Sequence, residues 1–322
     1  MDIKVAKKRA ELFQWVRTYF HQKDFLEVDT PILVPCPGAE VHMEYFKTEW
    51  KDFQNTPHSV WLRSSPELHL KQALASGASN VFEIAKCFRN HGELTRLHQP
   101  EFTMLEWYQT GQTYEDMIDF TEKFIQECAA YFNVKIPKMT KFTVAEAFLE
   151  FAQIELIDLD SGLAEKAEKA GVVSVSATDD FETAYFKTLI EVIEPQLHNL
   201  GNTVLYHFPA SQSALAEIEN GVAKRFEFYI HGVELCNGYQ ELTDLQANIR
   251  RFNDINTQRS NIGKDPLAFD QNFIKALKKG ISACCGNALG LDRLLSILQG
   301  KKDLDYAIAY RQQEPFHHIW DQ

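Results

Sequence analysis

Val5, Leu12, Phe13, Val16, Tyr19 and Phe20 recur at near-helical spacing and predict a helix over residues 5–20. The next apolar run, Phe25-Leu26-Glu27-Val28-Asp29, reads as a strand and ends at Pro31, which has no N–H to give a ladder. Residues 37–60 hold no sustained period and predict loop with short strands. Ser65 as a cap, Pro66 at the first helical position and Gly77 as a stop bracket a helix over 66–76. Strands follow at 80–89 and 101–109, with a polar stretch between them. Thr113 with Asp116, and Thr143 with Glu146, are spaced as capping boxes, and the first opens a helix reaching about residue 131. Small and charged residues dominate 155–170, so 150–200 reads as a peripheral helical insertion, with a helix at 181–193 marked by Phe181, Ala184, Tyr185, Leu189 and Val192. Strands at 203–208, 224–230 and 233–238 come next, with His231-Gly232 as a tight hairpin turn. Thr243 and Gln246 open another helix, Gly280 stops one at 271–279, and a last helix spans 290–299. No repeat, low-complexity tract or long linker interrupts the pattern. The expectation is an α+β fold: one domain over 1–322, with a mixed, mainly antiparallel sheet flanked by helices.

Composition adds little until charge is considered. Hydrophobic residues are 45% and charged residues 24% of 322, an ordinary globular balance that allows a sizeable core. The net charge of -12 argues against a broad tRNA-binding surface, because phosphate neutralisation needs basic excess. It suits a pocket for a cationic substrate. Residues 1–24 contain no apolar targeting segment and no run is long enough for a membrane span, so a cytoplasmic location is expected. Cys36, Cys87, Cys128, Cys236, Cys284 and Cys285 form no C-x-x-C pair and read as buried, reduced thiols. There is no P-loop and no dinucleotide fingerprint.

The chemistry concentrates in residues 88–108. Strand alternation sends Phe102, Met104, Glu106 and Tyr108 to one face and Thr103, Leu105 and Trp107 to the other. A carboxylate and a phenol beside apolar side chains call for a polar pocket, since an unpaired buried carboxylate is costly. On the preceding strand Phe82, Ile84 and Phe88 oppose Glu83 and Arg89, so Arg89, Glu106 and Tyr108 are expected on a common side. Any one of them alone would be ordinary on a solvated hairpin. The set points to a binding site.

Phe88-Arg89-Asn90, a variable loop, then Pro100-Glu101-Phe102-Thr103-Met104-Leu105-Glu106 and Trp107-Tyr108 resemble motif 2 of class II aminoacyl-tRNA synthetases, in its lysyl form. The resemblance implies that Arg89 contacts the ATP α-phosphate, Phe102 stacks on adenine, and Glu106 and Tyr108 hold the substrate amine. A fixed guanidinium suits the charge that grows on α-phosphate oxygens during adenylation. The loop departs from the family, with His91 after Asn90 where Glu is usual, and Gln99 where Asn precedes the proline. Glu93 is expected to replace the missing carboxylate, and His98 matches a His that reaches ATP. Residues 25–31, with Pro31, resemble motif 1, which implies a homodimer interface. Residues 286–294, Gly-Asn-Ala-Leu-Gly-Leu-Asp-Arg-Leu, resemble motif 3. There Gly290 lets the nucleotide approach the backbone and Arg293 reaches the β/γ-phosphates. Arg89 and Arg293 are thus the expected catalytic residues. Ser64-Ser65-Pro66-Glu67 resembles the turn through which the family contacts its amino acid, implying Ser65, Pro66 and Glu67 as substrate residues. Residues 233–244 resemble the lysyl strand before motif 3. That likeness implies Glu234 and Leu235 at ATP, Glu234 and Glu241 at magnesium, and Asn237, Tyr239 and Glu241 at the amino acid.

Lysyl-tRNA synthetases carry an anticodon-binding domain before motif 1, whereas only 24 residues precede it here. The chain is therefore similar to the free-standing paralogues that attach (R)-β-lysine to a lysine side chain of translation elongation factor P. Ala288 agrees: that family has Ala where lysyl-tRNA synthetases have Gly. Its methyl would disfavour an α-amine by about 1–3 kcal/mol. ATP and Mg2+ are expected at the site, with no stable tRNA complex. Two other readings stay open: a lysine-activating or tRNA-charging enzyme, and a non-catalytic synthetase-like binding module supported by the altered 90–99 loop.

Overall fold

In a computed structural model the described residues are 2–91 and 96–309. Helix α1 (Ile3–His21) leads into β1 (Leu26–Glu27), β2 (Leu33–Val34), β3 (Lys47–Lys51) and β4 (Pro57–Leu62). Next come α2 (Glu67–Ala75), β5 (Asn80–Phe88), β6 (Glu101–Thr110) and α3 (Tyr114–Tyr131). They are followed by β7 (Thr140–Thr143), α4 (Val144–Ala152), α5 (Leu163–Lys169), α6 (Phe181–Thr188) and α7 (Glu194–Leu200). Strands β8 (Asn202–Pro209), β9 (Ile218–Glu219), β10 (Val222–Ile230) and β11 (Val233–Gln240) precede α8 (Leu245–Asn261) and α9 (Gln271–Lys279). The last elements are β12 (Cys284–Gly290), α10 (Leu291–Leu298) and a 3-10 turn at Leu304–Tyr306.

The chain packs as two compact units. The first gathers residues up to Tyr108, Phe252–Lys279 and those from Leu289 on; the second holds Gln109–Arg251 and Gly280–Ala288. In the first unit β1 runs parallel to β5, with Leu26 opposite Val81, and β6 lies on the other side of β5. A small antiparallel sheet, β2-β4-β3, stands apart from these strands. The predicted α1 stripe is buried except for half-buried Phe13, and Phe20 stacks on Phe82 at 4.8 Å and meets Trp107 edge-on at 5.4 Å. The strand expected at 25–29 is only two residues long. Val28 still donates its N–H to Phe82, but the Thr30 carbonyl turns to the Arg63 guanidinium at 2.9 Å and leaves the ladder.

In the second unit the order is β12-β11-β10-β8-β7. Pairs β10/β11 and β10/β8 are antiparallel and β7/β8 is parallel. The sheet is thus mixed and mainly antiparallel, with flanking helices, as expected. Helices α4 to α7 build a core of their own, in which Phe148, Tyr185, Ile193 and Leu197 pack with Leu205 and Phe208 of β8. Both predicted capping boxes form. The helix expected over 181–193 instead ends at Thr188 and widens into a π-turn at Leu189–Ile193. Pro195 explains the wide turn, because it can donate no i→i−4 bond, and Glu194 donates to the Leu189 carbonyl instead. The helix expected to open at Thr243 and Gln246 opens one residue later, where the Asp244 carboxylate accepts the Ala247 N–H at 2.7 Å.

Candidate active site

One face of β6 carries the first group of predicted residues, and its burial increases along the strand. Phe102 is half-buried, Met104 is 8% exposed and Glu106 only 1%. The opposite face turns to the helices: Thr103 Oγ1 accepts from Arg9 of α1 at 2.5 Å. At the outer end the Arg89 guanidinium lies over the Phe102 ring, 5.1 Å from its centroid, leaving both at the edge of solvent. At the inner end Glu106 accepts from Ser65 Oγ at 2.7 Å and from Tyr108 Oη at 3.2 Å. Burial above all pushes the Glu106 pKa up to about 8; the Ser65 and Tyr108 hydrogen bonds work against the rise, and the Glu67 and Glu83 charges add to it. This is a carboxyl that gains its charge most readily beside a cation.

The turn before α2 serves this carboxyl. Ser65 Oγ also accepts the Glu67 N–H at 3.0 Å, so Ser65 acts as the cap even though the helix proper begins at Glu67; Pro66 is buried beneath it. Glu67 pairs with Lys71 one turn on at 2.6 Å, and Lys71 is itself 1% exposed. Glu83 does not join Arg89. It is buried against Arg63 and Thr30, at 2.7 Å from each.

In the 90–99 loop, Asn90 donates its N–H to the Glu44 carbonyl at 3.0 Å, and His91 takes a left-handed conformation, φ 53. Gln99 is half-buried, and Glu93 lies outside the described residues. Arg293 Nη2 donates to His98 Nε2 at 2.8 Å, which requires that nitrogen of His98 to be unprotonated. At Gly290 an added Cβ would meet nothing closer than the Arg293 side chain at 3.5 Å. The chain's own packing therefore does not demand glycine there. Asp292, which the motif reading passed over, is 3% exposed; it ion-pairs with Arg9 and accepts the Thr103 N–H at 2.7 Å. It anchors the helix that presents Arg293.

The second group lies in the second unit. Strand β11 carries a bulge: Phe228 pairs with Cys236 and Tyr229 with Glu234, so Leu235 has no partner on β10. The bulge reverses the alternation and puts Glu234 on the face of Asn237 and Tyr239, where simple parity would have opposed them. Glu227 and Arg225, opposite Asn237 and Tyr239, share that face, and Arg225 Nε donates to Asn237 Oδ1 at 3.2 Å. Burial, then the nearby Glu234 and Glu227, push the Glu194 pKa up to about 7. Cys236 bonds Asn287 on the opposite face, which leaves Ala288 with Asn237 and Tyr239. Gly238 has a packing reason the sequence did not disclose: a Cβ would stand 2.3 Å from the Phe226 ring and 2.8 Å from the Gly286 carbonyl.

Glu234 and Glu241 stand seven positions apart, roughly 20 Å of extended backbone, which favours separate roles for the two carboxylates. Glu241 is buried, 3% exposed, and its N–H donates to the Cys284 carbonyl at 2.9 Å. Glu234 stays half-buried among acidic neighbours that a cation would relieve. Among the described residues no three His, Cys, Asp or Glu side chains converge as a metal cage. Magnesium needs none when phosphate oxygens complete its shell. No helix among the described residues is long and apolar enough to cross a membrane.

Residues 3–314, a span covering both units, match the family described as tRNA synthetases class II (D, K and N), and the chain belongs to it. It is an ATP-dependent ligase of that class. It is 35% identical over 315 residues, 96% of its own length and 95% of the relative's, to an elongation factor P–(R)-β-lysine ligase of Vibrio atlanticus (strain LGP32).

Proposed function

We propose that this chain activates (R)-β-lysine with ATP as its adenylate and transfers it to a lysine side chain of translation elongation factor P. Glu106 carries the reading: a buried carboxyl cradled by Ser65 and Tyr108 favours an ammonium ligand. The identity to the Vibrio ligase supports it. In the first step a carboxylate oxygen of the amino acid attacks the α-phosphorus, and the bond to pyrophosphate breaks. Arg89 stabilises charge on the α-phosphate, Phe102 stacks on adenine, and Asn90, His91, Glu93, His98 and Gln99 line the nucleotide. Gly290 admits the triphosphate and Arg293 balances its terminal charge. In the second step the acceptor amine attacks the acyl carbon, AMP leaves with the electron pair, and the amine loses a proton to solvent.

Glu106 and Tyr108 hold one substrate amine, Glu67 and Glu241 serve the remaining polar groups, and Asn237, Tyr239 and Ala288 shape the pocket. Glu234, beside Leu235 at the bulge, would hold Mg2+, which neutralises triphosphate charge when bound. We read residues 1–322 as one catalytic domain, dimeric through residues 5–31, working in the cytoplasm. The net charge of -12 favours a protein acceptor over tRNA. ATP–pyrophosphate exchange with lysine and both β-lysine enantiomers, followed by transfer to elongation factor P, tests the proposal. (R)-β-lysine should be preferred and the factor labelled. A preference for lysine with robust lysyl-tRNA formation would instead establish a tRNA-charging enzyme.

A further inference from the structure

Arg63 and Glu83 form a buried pair, 3% and 4% exposed, that the activation chemistry above leaves unused. Arg63 is held at every end. Its Nε donates to the Lys86 carbonyl at 2.9 Å, Nη1 to the Thr30 carbonyl at 2.9 Å and hydroxyl at 2.5 Å, and Nη2 to Glu83 at 2.7 Å. The Thr30 hydroxyl donates in turn to Glu83 Oε2 at 2.7 Å. The Arg63 N–H donates to the Ile32 carbonyl at 3.0 Å, and its carbonyl accepts from Phe88 at 2.9 Å. Ser64 sends its N–H and its hydroxyl to the Pro37 carbonyl, at 3.0 and 2.7 Å. The main chain leading into Ser65 is therefore pinned, and Ser65 Oγ reaches Glu106 at 2.7 Å. A buried ion pair is weak as a source of stability, since apolar side chains of similar volume often serve as well. Its place beside the substrate turn suggests another use.

We propose that Arg63 and Glu83 are positioning residues for amino-acid recognition, which hold the Ser65 turn in place and balance each other's charge beside Glu106. The inference rests on Glu106 being the partner of the substrate amine. The groups around Glu106 are Glu67 with Lys71 on α2, Glu83 and Cys87 on β5, and Tyr108 on its own strand; the charges of Arg63 and Arg89 reach Cys87 as well. Within this set Glu83 pushes the Glu106 pKa up, and Arg63 is the charge that offsets Glu83. Loss of the Arg63 charge leaves Glu83 unopposed and makes Glu106 harder to ionise. Loss of the Glu83 charge leaves Arg63 unopposed and makes Glu106 easier to ionise. The two changes act with opposite signs.

The test is ATP–pyrophosphate exchange by the full chain, with kcat/KM for (R)-β-lysine followed against pH in wild type, Arg63→Met, Glu83→Gln and Glu106→Gln. The acid limb of that profile reports the free protein's carboxyl. The expected result is a limb moved to higher pH by Arg63→Met and to lower pH by Glu83→Gln. KM for the amino acid should rise about tenfold or more in Arg63→Met as the turn loosens, with KM for ATP nearly unchanged. Glu83→Gln is isosteric and keeps an acceptor for Arg63, so it carries the test if Arg63→Met fails to fold. Limbs that move together, a Glu83→Gln limb that does not move, or equal rises in both KM values would overturn the inference. If Glu106→Gln keeps wild-type activation, the underlying reading of Glu106 fails and the inference with it. If Glu106→Gln loses activation while the Glu83→Gln limb stays in place, only the inference fails.

Discussion

Glu106→Gln should stabilise the free protein at alkaline pH while destroying its use of the amino acid. The pKa of the buried carboxyl is raised from 4.5 to about 8, mainly by burial. At about 1.4 kcal/mol per pH unit the difference amounts to ~5 kcal/mol, an order-of-magnitude figure for a fully buried group. The sign follows from proton binding. A folded pKa above the unfolded one means the folded state binds more protons between pH 4.5 and about 8. Stability therefore falls as pH rises through that window, and the loss is complete above it. Glutamine reproduces the protonated form, offering its carbonyl to Ser65 Oγ and its amide N–H to Tyr108 Oη. Wild type and variant should thus be equally stable near pH 4–5, and by pH 9 the variant should be ahead by as much as ~5 kcal/mol. Urea titrations across this range, following the transition of the unit that carries Glu106, measure the gap. A gap that does not change with pH would refute the reasoning. Binding gives a second readout. At pH 7 a group of pKa about 8 is ~90% protonated, so an ammonium ligand that ionises it must release close to one proton. Calorimetry of (R)-β-lysine binding in two buffers of different ionisation enthalpy would detect that proton, and none should be released by Glu106→Gln.

Ala288→Gly should narrow the preference for (R)-β-lysine over lysine by about tenfold to a few hundredfold, chiefly by improving lysine; an unchanged ratio of kcat/KM values would remove Ala288 from the specificity argument. Glu234→Gln should raise the magnesium concentration needed for pyrophosphate exchange, whereas Glu241→Gln should raise KM for the amino acid and leave the metal response alone. Identical responses of the two variants would contradict the separate roles given to them. Sedimentation at micromolar concentration should find a homodimer, and a clean monomer there would count against the role given to residues 5–31.

What could be read from the chain alone was whatever depends on near neighbours. The capping boxes at Thr113 and Thr143, the hairpin at His231-Gly232 and the two faces of β6, Thr103 and Trp107 towards α1 and Glu106 with Tyr108 towards Ser65, follow from backbone geometry within a few residues, and all are present. So does the assignment of Glu106 and Tyr108 to one face, since a regular strand alternates whatever lies beside it. The motif residues of the first unit stand out in the sequence for the same reason, as short runs. Partners were not. Arg63 meets Glu83 across 20 residues and Arg9 meets Asp292 across 283, and nothing local to either residue names the other. The place of Glu234 was illegible for a subtler reason. Its side depends on a bulge at Leu235, which exists only in the register between β10 and β11. Parity along one strand is a property of the sequence, but an interruption of parity is set by the strand it pairs with. A residue's chemistry and the direction of its side chain within a regular element are local; which charge it faces and which pocket it enters are decided when distant strands and helices come to lie side by side.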